Sequence, residues 1–180
     1  ADVPKGSGLG TSSILGAAVL ACLGRLCGRP ISSPLSGPSA RSLIERTSIL
    51  EQMMSTAGGW QDQAGGLTPG LKLLRTSPGP RQIPRISPIV LPPAAAREFR
   101  SRAILYYTGQ RRLARDILQG VVRRYLAADP AALRIILDLK SAAARMARDL
   151  ARGDIDAFAA GLLRNWELKK AIDLGSTNAR

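Results

Sequence analysis

Eight residues near the start of the chain, Gly6-Ser7-Gly8-Leu9-Gly10-Thr11-Ser12-Ser13, have the make-up of an anion-binding loop. Glycines at alternate positions admit backbone angles that other residues resist, and they let amide N–H groups come close to a ligand. A helix-forming run begins at once, so unpaired N–H groups and the positive end of the helix dipole face the loop. Hydroxyls at positions 11, 12 and 13 can cap that helix, donate to a phosphate or ligate Mg2+. The spacing is neither Gly-x4-Gly-Lys-Ser/Thr, because Lys5 precedes the glycines, nor Gly-x-Gly-x-x-Gly. The plain alternative is a turn whose serine caps a helix.

Two carboxylates could complete such a site. Asp62 stands in Gly58-Gly59-Trp60-Gln61-Asp62-Gln63, followed by Gly65-Gly66. A carboxylate among glycines and amides can orient a substrate hydroxyl or take its proton during phosphoryl transfer. An Asx turn is the alternative for Asp62, and Trp60 reads as a core or lid residue. Glu51 falls near the end of the second helix, where an acid opposes the dipole. It is either a solvated surface residue or the partner of a cation. Beside a phosphate loop, Mg2+ is the candidate cation.

The elements that must position these residues follow from periodicity and punctuation. A helix is expected from Ser12 to about Cys27, stopped by Gly28-Arg29-Pro30. Its small residues, Gly16, Ala17, Ala18 and Ala21, predict close packing. A Pro/Ser/Gly linker over 30–38 leads to a second helix, Ala40 to about Met54, capped by Ser39. Residues 56–70 read as a glycine-rich loop, and strand-like runs follow near Leu71–Thr76 and Ile83–Leu91. Ile104–Tyr107 reads as a strand ending at Thr108-Gly109. Helical periodicity then predicts helices over about 110–127, 131–152 and 154–172, punctuated by Asp129-Pro130 and Gly153-Asp154. Leu133, Ile136, Leu137, Lys140, Met146 and Leu150 are expected on one face of the middle helix.

Composition removes other chemistries. The 180 residues include 2 cysteines and no histidine. That excludes a disulfide scaffold, Ser/His/Asp and Cys/His triads, and histidine-based zinc sites. Cys22 and Cys27 read as small reduced core residues of a cytoplasmic protein. The net charge is +13, and 21 of the 26 cations are dispersed arginines. With 4% aromatic residues there is little platform for stacking bases, so specific nucleic-acid binding is not expected. The apolar run Ile14–Leu23 is too short to span a bilayer, and no membrane partner is expected.

The loop Pro4 to Ser13 resembles the phosphate-binding motif of the GHMP kinase superfamily. Gly58-Gly59-Trp60-Gln61-Asp62-Gln63-Ala64-Gly65-Gly66 resembles the corresponding loop of its fucokinase branch. Tyr107-Thr108-Gly109 with Arg112-Leu113-Ala114-Arg115, and Asn165-Trp166-Glu167-Leu168-Lys169-Lys170, agree with that branch, and the related heptose 7-phosphate kinases share parts of both stretches. The resemblance implies ATP and Mg2+ as cofactors. It implies nucleotide contacts from Lys5, Gly6, Ser7, Gly8, Leu9, Gly10, Thr11, Ser12 and Ser13, and metal contacts from Ser12 and Glu51. Asp62 is implied at the hydroxyl being phosphorylated. Gly59, Trp60, Asp62, Thr108 and Arg112 are implied as sugar contacts. Ala57 departs from the family pattern, which has glycine there.

The fold so implied is α+β, the two-domain GHMP kinase fold. Residues 1–98 would be the later portion of the N-terminal ATP-binding domain, which resembles the second domain of a small-subunit ribosomal protein. Residues 99–180 would be the helical layer of a ferredoxin-like C-terminal domain. The family's first strands would precede Ala1, and its third, glycine-rich motif would follow Arg180. The expected activity is transfer of the γ-phosphoryl of Mg·ATP to the anomeric hydroxyl of L-fucose or a similar sugar. A heptose 7-phosphate kinase is the runner-up. A noncatalytic remnant that binds nucleotide or polyanions and self-associates is the third reading.

Overall fold

A computed structural model describes residues 8–31, 37–54, 58–79, 82–106 and 114–173, the side chains of 114–117 excepted. The described residues divide into two compact units, one up to Ser87 and one formed by Pro88–Tyr106 and the residues from Ala114 onward. Helices and a small two-stranded sheet are compatible with the expected α+β class.

The first unit holds α1 (Thr11–Leu26), α2 (Gly37–Met53), α3 (Gln61–Leu67), β1 (Lys72–Arg75) and β2 (Arg85–Pro88). The strands pair with each other, as the two strand-like runs predict. Helix α1 packs on both α2 and α3, α2 packs on α3, and α3 rests on β1. The core is made from Ala17, Ala40, Leu43, Ile44 and Ala64, with Ser13, Thr47 and Gln63 buried among them. The Thr47 hydroxyl donates to the Leu43 carbonyl at 2.7 Å, so its burial leaves no unsatisfied donor.

Four expectations need correction here. The stretch 56–70 contains α3, because the Gln61–Ala64 segment buries two side chains against α1 and α2. Ser39 does not cap α2, since the helix already begins at Gly37. Cys22 and Cys27 are exposed free thiols and not core residues, because α1 buries the face carrying Ser13 and Ala17. Ile104, Leu105 and Tyr106 form no strand and are exposed; no neighbouring strand offers them a hydrogen-bond ladder among the described residues. Tyr107–Gly109 lie outside the described residues.

The second unit holds α4 (Pro93–Arg102), α5 (Ala114–Leu126), α6 (Pro130–Arg152) and α7 (Ile155–Ile172). The last three match the expected helices, residues 110–113 lying outside the described residues. Helices α6 and α7 pack as a hairpin, with α5 against α6 and α4 against α7. The buried stripe of α6 is Ala132, Ala142 and Leu150, with Ile135, Ile136, Leu139 and Met146 half-buried. Leu137 and Lys140, expected on that face, are exposed. Two small alanines let a helix approach closely, so the stripe centres on them and not on the largest side chains. Phe99 of α4 and Phe158 of α7 stack at 5.9 Å with their planes tilted by 57°.

Aspartates start both long helices. Asp129 Oδ1 accepts from the Ala131 and Ala132 amides at 2.9 and 3.3 Å, and its Oδ2 takes the Arg124 Nε at 2.7 Å. Asp154 Oδ1 accepts from the Ala157 amide at 2.9 Å. These bonds satisfy first-turn amides that the helix itself cannot. The Arg124 guanidinium, and then the Ala132 amide, hold the Asp129 carboxyl below its ordinary range. A depressed carboxyl stabilises the fold above its unfolded pKa and loses that contribution as pH falls through the folded value. Asp129→Ala is therefore expected to lower Tm at about pH 7, with the deficit shrinking as pH falls below the ordinary carboxylate range. Thermal melts across that range check it, and a pH-independent deficit would refute it.

Candidate functional site

The site is built where α1 begins. Gly8 and Gly10 adopt left-handed backbone, φ 78° and 67°, and Gly10 is the residue that caps α1. It has no side chain to satisfy the first-turn amides, and such uncapped amides can receive an anion. Gly10 also lies close against α3. A Cβ there would lie 3.2 Å from Asp62 Cβ and 3.4 Å from its Cγ. Asp62, in the first turn of α3, is exposed and sits directly against the anion loop.

Glu51 arrives from the last turn of α2 and is half-buried. Its Oε1 accepts from the Ser13 hydroxyl at 2.6 Å and its Oε2 from the Gln63 amide nitrogen at 2.5 Å. The three side chains come from three helices, and Ser13 and Gln63 are almost wholly buried, 2% and 1% exposed. Close approach of α1 and α3 is what permits this. A Cβ on Gly66 would fall 2.9 Å from Ile14 Cγ1, so a larger residue would force Ile14 or the helices to shift. The far end of α3 is tied down by Lys72 of β1, whose ammonium donates to the carbonyls of Gly65, at 2.8 Å, and Thr68. Burial there pushes the Lys72 ammonium below its ordinary pKa.

Among the sequence-based candidates, Gly8, Leu9, Gly10, Thr11, Ser12 and Ser13 form the turn into α1, with Glu51 and Asp62 brought against it. Ser12, expected beside Glu51, is exposed; Ser13 makes that contact. Gly59 and Trp60 are placed differently. They line a cleft of about 1280 Å³ together with α2 residues Ile44, Ser48 and Gln52 and with Ile83 and Ile86. Neither Glu51 nor Asp62 lines it. Lys5, Gly6, Ser7, Thr108 and Arg112 lie outside the described residues. Gln63 was not singled out from the sequence, although it adjoins Asp62, because its partner sits on another helix.

The donor set suits a hard divalent cation. It offers one carboxylate, nearby hydroxyls, and the Gln63 Oε1, a buried acceptor with no hydrogen-bond partner. Among the described residues no cluster of three or more acidic, His or Cys side chains occurs. Mg2+ needs no such cluster, since waters and substrate phosphates complete its shell. No helix among the described residues is long and apolar enough to cross a membrane.

Comparisons with known proteins bear on this geometry. Residues 1–70 match the family described as GHMP kinases N terminal domain. The chain is 35% identical over 176 residues to an L-fucokinase/L-fucose-1-P guanylyltransferase of Bacteroides fragilis, covering 98% of this chain and 18% of that protein. It is 37% identical over 174 residues to a bifunctional fucokinase/GDP-fucose pyrophosphorylase of Arabidopsis thaliana, covering 96% and 16%. A D-glycero-alpha-D-manno-heptose 7-phosphate kinase of Campylobacter jejuni is 29% identical over 171 residues, covering 95% and 48%. The chain thus spans less than a fifth of the two fucokinase relatives.

Two substitutions separate the serines. Ser13→Ala removes a buried bond to a charged group and is expected to cost roughly 1–3 kcal/mol. Ser12→Ala, on the exposed side, is expected to change stability by less than about 0.5 kcal/mol. Urea denaturation of both variants measures the difference. Equal effects would mean that the Ser13–Glu51 bond does not contribute.

Proposed function

Because residues 1–70 match the family described as GHMP kinases N terminal domain, we propose that this chain is part of an ATP-dependent sugar kinase. Its reaction would transfer the γ-phosphoryl of Mg·ATP to the anomeric hydroxyl of L-fucose or a related sugar. The observation that carries this reading is the convergence of Asp62 and Glu51 on the start of α1. The two fucokinase relatives support fucose as acceptor. A heptose 7-phosphate acceptor is the second reading, favoured by the Campylobacter jejuni relative. In this reading residues 1–98 belong to the N-terminal ATP-binding domain and 99–180 to the C-terminal domain. The free Cys22 and Cys27 suit a reducing, cytoplasmic setting.

The residues divide the work simply. The α1 amides that Gly10 leaves uncapped hold phosphate oxygens and meet the charge that develops as the γ-phosphoryl moves. Asp62 orients the sugar hydroxyl and takes its proton. As that oxygen bonds to the γ-phosphorus, the bond to the β–γ bridging oxygen breaks and ADP departs. Glu51, backed by a hydroxyl at the loop, would hold Mg2+, and Ser12 and Ser13 are the hydroxyls in range of that role. When bound, Mg2+ supplies charge neutralisation on the β- and γ-phosphates. In this reading Lys5, Gly6 and Ser7 would add nucleotide contacts, and Gly59, Trp60, Thr108 and Arg112 would add sugar contacts.

Release of ADP from Mg·ATP, with L-fucose and with the heptose 7-phosphate as acceptors, tests the reading in the full natural protein. Fucose-dependent turnover is the expected result. Asp62→Asn is expected to lower kcat by about 100- to 10,000-fold, with Mg·ATP affinity within about 2-fold of the parent. Turnover with the heptose phosphate alone would replace the acceptor. An unchanged kcat in Asp62→Asn would remove that residue from the chemistry.

A further inference from the structure

The Glu51 carboxylate belongs to α2, but helices on either side grip its oxygens. Ser13 of α1 donates to Oε1 and Gln63 of α3 to Oε2. Gln63 is 1% exposed, and its own Oε1 is buried with no hydrogen-bond partner. The amide cannot be turned round to relieve this, because a carbonyl oxygen would then face the carboxylate. A buried acceptor without a donor is destabilising, and native structures rarely keep one without a reason. An unbranched apolar side chain would fill the same volume without that cost, but would take the Gln63 donor away from Glu51 Oε2. The amide is therefore explained by what it does for Glu51 and by what its free oxygen can receive.

We propose that Gln63 is a positioning residue of the cation site. Its nitrogen fixes the rotamer of Glu51, and its unpartnered oxygen accepts from a water carried by the bound divalent ion. The proposal rests on the reading of Glu51 as the Mg2+ carboxylate. Mg2+ gives up its waters reluctantly, so a water donor accompanies it into the site. Outer-sphere partners of this kind hold a ligand in one orientation, and their loss typically weakens metal binding 10- to 100-fold. The arrangement also links the two halves of the site. Asp62 and Gln63 are consecutive on α3, Asp62 against the Gly10 turn and Gln63 buried on Glu51. One short helix thereby sets both the hydroxyl-orienting carboxylate and the metal carboxylate.

The test compares Gln63→Met and Glu51→Gln in the full natural protein, with Mn2+ as the probe. Mn2+ binding in the presence of ADP is read by electron paramagnetic resonance, beside metal-free ADP binding, Tm and the KM for the sugar. Gln63→Met is expected to weaken Mn2+ binding about 10- to 100-fold. It should leave metal-free ADP affinity and the sugar KM unmoved, while Tm falls because Glu51 Oε2 loses the Gln63 donor, a loss only partly offset by removal of the orphaned acceptor. Should Gln63→Met fold poorly, Gln63→Asn, which keeps an amide too short to reach Glu51, carries the same comparison. Unchanged Mn2+ affinity in the Gln63 variant, with binding lost in Glu51→Gln, would overturn the proposal and leave the Glu51 site standing. Unchanged affinity in Glu51→Gln would overturn both.

Discussion

One part-buried junction orders the first unit: the Ser13 hydroxyl and the Gln63 amide meeting on the two oxygens of Glu51. A carboxylate cannot be drawn into a helical interface unless donors replace its water. Here α1 and α3 each contribute a donor to an acid on α2. Those bonds are directional and charge-assisted, so they specify how the three helices sit against one another more sharply than apolar contact would. The surrounding core is modest, built mainly from alanines, Leu43 and Ile44. Directional polar contacts therefore matter more here than in a larger core.

The glycines serve this junction. Gly66 lets α3 approach Ile14, and Gly10 lets the turn into α1 pass against Asp62. At Gly10 a side chain is disfavoured by the left-handed backbone, and it would also crowd the neighbouring Asp62 side chain. The same absence of a side chain leaves the α1 amides uncapped. In the proposed reading, a residue that stabilised the helix by capping it would occupy the place of the phosphate, so lower local stability at this helix start would go with phosphate binding.

The second unit is organised by more ordinary means. Its long helices are started by Asp129 and Asp154, and α6 meets α7 along a stripe centred on alanine. Arg124 joins the end of α5 both to Asp129 and to the Ile172 carbonyl at 2.7 Å, which ties both ends of the α6–α7 hairpin to one side chain. Most of the other arginines remain on exposed faces. Their charge bears on solubility and long-range attraction to phosphate groups more than on folding.

The sequence alone determined what depends on local order. The alternating glycines, the helix that follows them, the two short strands and the three later helices are set by residues close together in the chain, and they were legible there. Asp62 and Glu51 could be picked out because a carboxylate among glycines, or against a helix dipole, is locally unusual. Only the tertiary structure decided which serine meets Glu51, that Gln63 is part of the site, and that residues 61–67 form a helix. In α1, Ser13 shares a buried face with Ala17, one turn on, while Ser12 points outward; which face turns inward depends on where α2 and α3 pack. Helix α3 contains two glycines and has little propensity of its own. Burial of Gln63 and Ala64 holds it in place, and that burial exists only once α1 and α2 are there to receive it.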